Sequence, residues 1–206
     1  MQTNKILIDA MIQASILHTP RIIEAFQKID RKYFVRQEYR DYTYIDKPLP
    51  IGKNQTISQP STVAFMLEQL EPHIGDKILD IGSGSAWTTA LLCYIVGENG
   101  SVTGLERLKE LVKTGQNNLA KFNFKNLCTV QKASMKLGIS GEKFDKILVS
   151  ASAQKIPEEL FAQLKTNGIL IIPIQNSIYK FKNNNNAEII SQKFPGYIFV
   201  PLIVDS

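Results

Sequence analysis

The string Asp80-Ile81-Gly82-Ser83-Gly84-Ser85 stands where a short apolar run hands over to a helical pattern. Glycines at such a turn let backbone amides approach a ligand closely, and the helix N-terminus that follows favours a negative group. A dinucleotide site wants Gly-x-Gly-x-x-Gly, but its third glycine position is Trp87, so that fingerprint fails. Val102-Thr103-Gly104-Leu105-Glu106 is a second apolar run closed by an acid. An acid about two dozen residues past the first glycine is placed to accept two ribose hydroxyls, which points to a nucleoside more than to a reaction. Ser58 offers a hydroxyl just before Pro60. Each feature also has a plainer reading. Asp80 and Glu106 can cap helices, Gly82 and Gly84 can serve turns alone, and Ser58 can stabilise the start of the helix that Pro60 opens.

Elements must carry these groups. Ile6, Leu7, Ala10, Met11 and Ala14 recur at helical spacing over residues 4–17, and Ile22, Ile23, Phe26 and Ile29 repeat the pattern. Residues 40–57, rich in Pro, Gly and Tyr, read as an ordered, irregular loop, and a helix follows from Pro60 through Val63, Met66, Leu67 and Leu70. From Lys77 short apolar runs (77–81, 101–105, 127–131, 144–149, 168–174) alternate with helical stretches near 85–96, 108–121 and 157–165. That alternation predicts an α/β fold with a doubly wound, Rossmann-like parallel sheet and an N-terminal helical extension. Segments 177–182 and 187–194 flank Asn183–Asn186 as a hairpin, and 197–204 is a further strand candidate.

With 206 residues the chain suits one domain, read as 1–206 with helices and a loop in 1–72 and the cofactor core in 73–206. No window is apolar for long enough to cross a membrane, and the first residues lack an export pattern. Cys93 and Cys128 read as buried spacers, which fits a reducing cytoplasm. His18 and His73 lack ligand partners at metal spacing, so no metal site is expected. The net charge of +5 is mild, and Lys121, Lys125, Lys132, Lys136 and Lys143 read as a solvated edge, so neither nucleic acid nor membrane is expected as a partner.

The acidic-x-Gly-x-Gly form of Asp80–Gly84 is similar to S-adenosylmethionine sites, in which the amino-acid end of the cofactor lies near the glycines. The run Pro48-Leu49-Pro50-Ile51-Gly52-Lys53-Asn54-Gln55-Thr56-Ile57-Ser58-Gln59-Pro60 resembles the signature of protein-L-isoaspartate O-methyltransferases. The resemblance extends through Arg31–Val35, Tyr44–Asp46, Asp80–Leu92, Leu105–Arg107, Phe144–Ser150, Gly168–Pro173 and Phe199–Leu202. It implies a seven-stranded, mostly parallel methyltransferase sheet whose last strand runs antiparallel. It further implies methyl transfer from S-adenosyl-L-methionine to the free carboxyl of isoaspartyl residues in damaged proteins. On that resemblance Ser58 orients the acceptor carboxylate and Thr56 and Ile57 lie over the cofactor. Asp80, Gly82, Ser83, Gly84, Glu106 and Ala133 are then its other contacts. A carboxyl with a pKa near 4 is already ionised at pH 7, so no general base is required. A protein accepting varied peptides benefits from an open cleft, which favours a monomer.

The chain departs from the family pattern at three places. Ala86 stands where a Gly is usual, Gln175 follows the Pro-aliphatic pair where a Gly is usual, and Lys132-Ala133-Ser134 occupies the place of Gly-Asp-Gly. The Asp of that triplet receives the adenine amino group, so Ala133 removes a hydrogen bond of about 0.5–1.5 kcal/mol. Two rivals follow: a methyltransferase with another acceptor such as RNA, and a non-catalytic relative.

Overall fold

The computed structural model describes residues 2–125, 127–184 and 188–203. Helix α1 (Asn4–Gln13) starts where the Thr3 hydroxyl accepts the Ile6 amide, and it buries Leu7, Ile8 and Met11. Helix α2 (Pro20–Lys28) opens on a proline and turns Ile22, Ala25 and Phe26 inward. Residues 40–57 are more regular than expected. Strands β1 (Leu49–Gly52) and β2 (Gln55–Ile57) pair antiparallel around Gly52, Lys53 and Asn54, all at positive φ. Pro48 and Pro50 hide the alternation of buried Leu49 and Ile51 with outward residues, and Pro50 is tolerated because this ribbon has open edges.

Helix α3 (Pro60–Leu70) has no cap from its own N-terminal neighbour, and Ser58 does not supply one. Asp46 does so from 15 residues upstream, one carboxylate oxygen accepting the Ser61 amide at 2.8 Å and the other the Gln59 side chain. The helix-start reading of Ser58 therefore fails. The function of a cap is present, with a different residue performing it.

Beyond lie β3 (Lys77–Ile81), α4 (Trp87–Val96), β4 (Ser101–Glu106), α5 (Lys109–Leu119), β5 (Leu127–Lys132) and β6 (Phe144–Val149). After them come α6 (Glu158–Phe161), β7 (Leu164–Ile174), β8 (Ser177–Asn183) and β9 (Ile189–Pro195). The seven strands are ordered β5-β4-β3-β6-β7-β8-β9. β3 is buried almost throughout, as a central parallel strand covered on both faces must be. Helix α4 is apolar around most of its surface because α2 and the sheet both pack on it.

Four expectations are corrected. The strand that runs against the sheet is β8, antiparallel to both neighbours, whereas β9 again follows the direction of the core. Each antiparallel pairing reverses the direction of the chain once. Residues 185 and 186 of the expected turn, and residue 187 of the segment expected after it, lie outside the described residues. The helix expected over 157–165 shrinks to α6 because Gln163 turns inward. Its amide group donates to the Leu137 and Glu159 carbonyls and accepts from the Ile139 amide, while Leu164 already pairs with Phe144. The strand expected over 197–204 is not formed in 197–203, and residue 204 lies outside the described residues. Gly196 at φ 95° bends the chain off the sheet, and Ser152 pairs instead with Val200 and Leu202 through backbone hydrogen bonds of 2.8 Å. Finally, Cys93 and Cys128 form a disulfide with Cα atoms 5.9 Å apart, joining α4 to β5. Their presence is no argument for a reducing compartment. Among the described residues no helix is long and apolar enough to cross a membrane, and no group of His, Cys, Asp or Glu could hold a metal.

Candidate active site

The register places Ile81 beside both Leu105 and Val149, so β3, β4 and β6 end level with one another. Above those carboxyl ends, where the strand order departs in both directions from β3, lies a cleft of about 1040 Å³ with its open mouth included. The turn after β3 forms its floor. Gly82 and Gly84 adopt φ of 82° and 53°, which glycine tolerates without strain. The backbone of Gly82 backs onto Ser150, at the end of β6.

The amides of this turn are already committed. Those of Gly82 and Ser83 donate to the Leu105 carbonyl at 2.8 and 3.0 Å, and that of Gly84 donates to Glu106. The turn therefore offers close approach and few free donors. Such a floor suits a nucleoside without phosphates better than a dinucleotide, whose pyrophosphate needs those donors.

Glu106 lies in the wall, 7% exposed. Its two carboxylate oxygens accept the Gly84 amide at 3.0 Å and the Leu108 amide at 2.8 Å. These bonds do not exhaust the carboxylate, because each oxygen keeps a lone pair after its backbone bond. Ser83 also lines the cleft, and its buried hydroxyl has no partner among the described residues.

Asp80 is not on the wall. It is fully buried beneath the floor, where one oxygen accepts the Thr89 hydroxyl at 2.6 Å and the other has no partner among the described residues. Burial pushes its carboxyl up to about 6, the Thr89 hydrogen bond opposing this and the Glu106 charge adding to it. Asp80 lies behind the turn and outside the lining of the cleft. Gly104, its partner in β4, lacks a side chain where Ser83 and Thr89 crowd in at 3.1 Å.

The β1–β2 hairpin forms the facing wall through Ile51, Thr56, Ile57 and Ser58. Ser58 presents a hydroxyl with no protein partner among the described residues, while its carbonyl accepts from Arg31. Ala133 lines the far end beyond β5, and no acid accompanies it there. The Ser134 hydroxyl closes a turn on the Lys136 amide and carbonyl. Two further stretches line the cleft that the motifs alone did not single out, Lys136–Gly138 and Val200–Ile203. The first has no readable pattern; the second lay in a segment whose resemblance was visible but whose strand reading sent it to the sheet.

The profile of the Protein-L-isoaspartate(D-aspartate) O-methyltransferase (PCMT) family matches residues 1–206. The chain belongs to this family. It is 40% identical to the protein-L-isoaspartate O-methyltransferase of Fervidobacterium nodosum, over 88% of this chain and 93% of that one. It is 36% identical to that of Ignicoccus hospitalis, over 96% of this chain and 95% of the other. A solved PCMT structure from Plasmodium falciparum, in complex with S-adenosyl-L-homocysteine, superposes with a TM-score of 0.85 at 26% identity, each chain covered completely. These PCMT relatives fit a cleft whose floor takes a nucleoside without phosphates and whose facing wall carries a free hydroxyl.

Proposed function

We propose that the chain transfers a methyl group from S-adenosyl-L-methionine to the free carboxyl of an L-isoaspartyl residue, the first step in repairing a damaged protein. The observation that carries this reading is the meeting of Ser58 with the Gly82–Gly84 turn on one cleft. The two come from separate parts of the chain, and among the described residues the Ser58 hydroxyl has no hydrogen bond to the helix or hairpin it adjoins.

The residues divide the work. Glu106, already held by two amides, is pre-oriented to accept ribose hydroxyls with its remaining lone pairs. Gly82 and Gly84 admit the amino-acid end of the cofactor, and Ser83 has an unengaged hydroxyl to offer it. Asp80 acts as a positioning group by holding Thr89, in the first turn of α4, under the floor. Ala133 bounds the adenine end without bonding to it. When bound, the cofactor supplies a methyl group activated by its sulfonium charge.

The acceptor carboxylate is ionised at pH 7 and needs no base. The Ser58 hydroxyl donates to one carboxylate oxygen and so aims the other. Thr56 and Ile57 exclude water from above, where alignment and desolvation supply most of what such a reaction requires. Residues 1–206 act as one methyltransferase unit on this reading, with 1–72 furnishing the acceptor wall and 73–206 the cofactor floor. The reading includes a monomer with an open cleft, working in the cytoplasm. An RNA acceptor has little support, since Lys121 is bonded to Tyr33 and Asn118 and Lys125 is paired with Glu98.

The direct test offers one peptide in two forms, with isoaspartate and with ordinary aspartate. The reading expects a base-labile methyl ester on the isoaspartyl form alone; equal labelling of both, or none of either, would contradict it.

A further inference from the structure

Arg31 is the largest side chain in the molecule that is sealed from solvent, with 0% exposure, and no motif explained why a cation should be there. It leaves a short 3-10 turn, Arg31–Tyr33, and reaches three backbone carbonyls. One terminal nitrogen donates to Thr43 at 2.6 Å; the other donates to Lys47 at 3.0 Å and to Ser58 at 3.1 Å. Lys47 is just ahead of the β1–β2 hairpin and Ser58 just behind it. The same guanidinium lies over the Trp87 ring, 5.4 Å from its centre, and that indole lines the cleft and donates to the Ile29 carbonyl. A planar fork can hold carbonyls in several directions at once; a lysine in its place presents one point charge.

We propose that Arg31 is a positioning residue for the methyl transfer: by gripping both stems of the β1–β2 hairpin against Trp87, it sets where the Ser58 hydroxyl stands over the cleft. The inference deepens the isoaspartyl reading and rests on it. The arrangement also explains a costly burial. Desolvation lowers the Arg31 guanidinium to about 10, opposed by the charge of Asp46, and its Nε has no partner among the described residues. A general core position is better filled by an apolar side chain. Three carbonyls around the hairpin give the charge a use that packing alone does not.

The test pairs Arg31→Lys and Arg31→Met, each with Ser58 intact and in a Ser58→Ala background. A misplaced reactive geometry lowers kcat by about 10- to 100-fold for isoaspartyl peptide when Ser58 is present. Because Arg31 acts through Ser58, the same changes lower kcat by less than about threefold when Ser58 is already alanine. Hydrogen exchange across 49–57 quickens in both variants, while exchange in β3 and β6 stays as in the wild type. Additive losses, unaltered kcat, or unaltered exchange in the hairpin each overturn the proposal. Loss of the whole fold in both variants overturns it too, since Arg31 is then a residue of the general core. A wild type that methylates no isoaspartyl peptide defeats the reaction reading instead, and the exchange comparison still judges Arg31.

Discussion

Asp80 holds a carboxyl that water does not reach, and its two oxygens share a single hydrogen bond. Its pKa, pushed up to about 6 by burial, has a measurable consequence. The unfolded chain releases this proton near pH 4 and the folded chain holds it to about 6. Between those limits the folded state binds more protons, so this group makes stability fall as pH rises, by on the order of 3 kcal/mol across the window. Asp80→Asn removes that contribution. Denaturant unfolding at several pH values should show the variant gaining on the wild type from pH 4 to 6, with a constant difference above; a pH-independent difference would contradict the burial argument.

Ala133 offers the complementary case, a place where an acceptor is missing. Ala133→Asp should tighten S-adenosyl-L-homocysteine by about tenfold in calorimetry, since a hydrogen bond to a charged group contributes about 1.5–3 kcal/mol. An unchanged Kd would mean that the end of β5 does not face the adenine. Both residues were legible as types in the sequence. Their distance from the ligand was not, because a strand-end acid can point along the wall or beneath it, and Asp80 does the latter.

At the scale of elements, local pattern was readable wherever burial decided the structure. Helices α1–α5 and strands β3–β6 follow their apolar periodicity to within a few residues. The pattern failed where a distant contact intervened. Two prolines masked β1 and β2, the inward turn of Gln163 cut α6 short, and Asp46 took the capping role that adjacency assigned to Ser58. Ala86 is a further instance. The residue sits at φ 69°, a left-handed conformation that glycine adopts more readily than alanine and that no apolar periodicity signals.

The Cys93–Cys128 bridge was invisible for the same reason, since 35 residues separate two cysteines that each fit an apolar context. It ties α4, beneath the cleft, to β5, the exposed edge strand that leads to Ala133. Reduction by dithiothreitol should lower unfolding stability by about 3–4 kcal/mol, the value expected from closing a loop of that length. The Cys93→Ser variant should be insensitive to reductant; a wild type equally insensitive would count against the bridge.

For the molecule as a whole, the sheet was foreseeable in kind because alternating strands and helices admit few arrangements, and a floor at the carboxyl ends follows from parallel order. The closing of the cleft was less foreseeable. It requires a hairpin from the N-terminal part and the segment 200–203 from the C-terminal part to converge on a turn between them, and no local pattern encodes such a meeting. The proposed reaction depends on that convergence, which brings the Ser58 hydroxyl, without a hydrogen-bond partner among the described residues, to the cleft that the Gly82–Gly84 turn also lines. The most direct measurement compares Ser58→Ala with the wild type in two assays, cofactor affinity and methyl transfer to isoaspartyl peptide. The account predicts an affinity for S-adenosyl-L-homocysteine within about twofold of the wild type and a kcat about 10- to 100-fold lower, the worth of one hydrogen bond to a charged group. Full turnover by the variant, or loss of cofactor affinity in step with turnover, would contradict it.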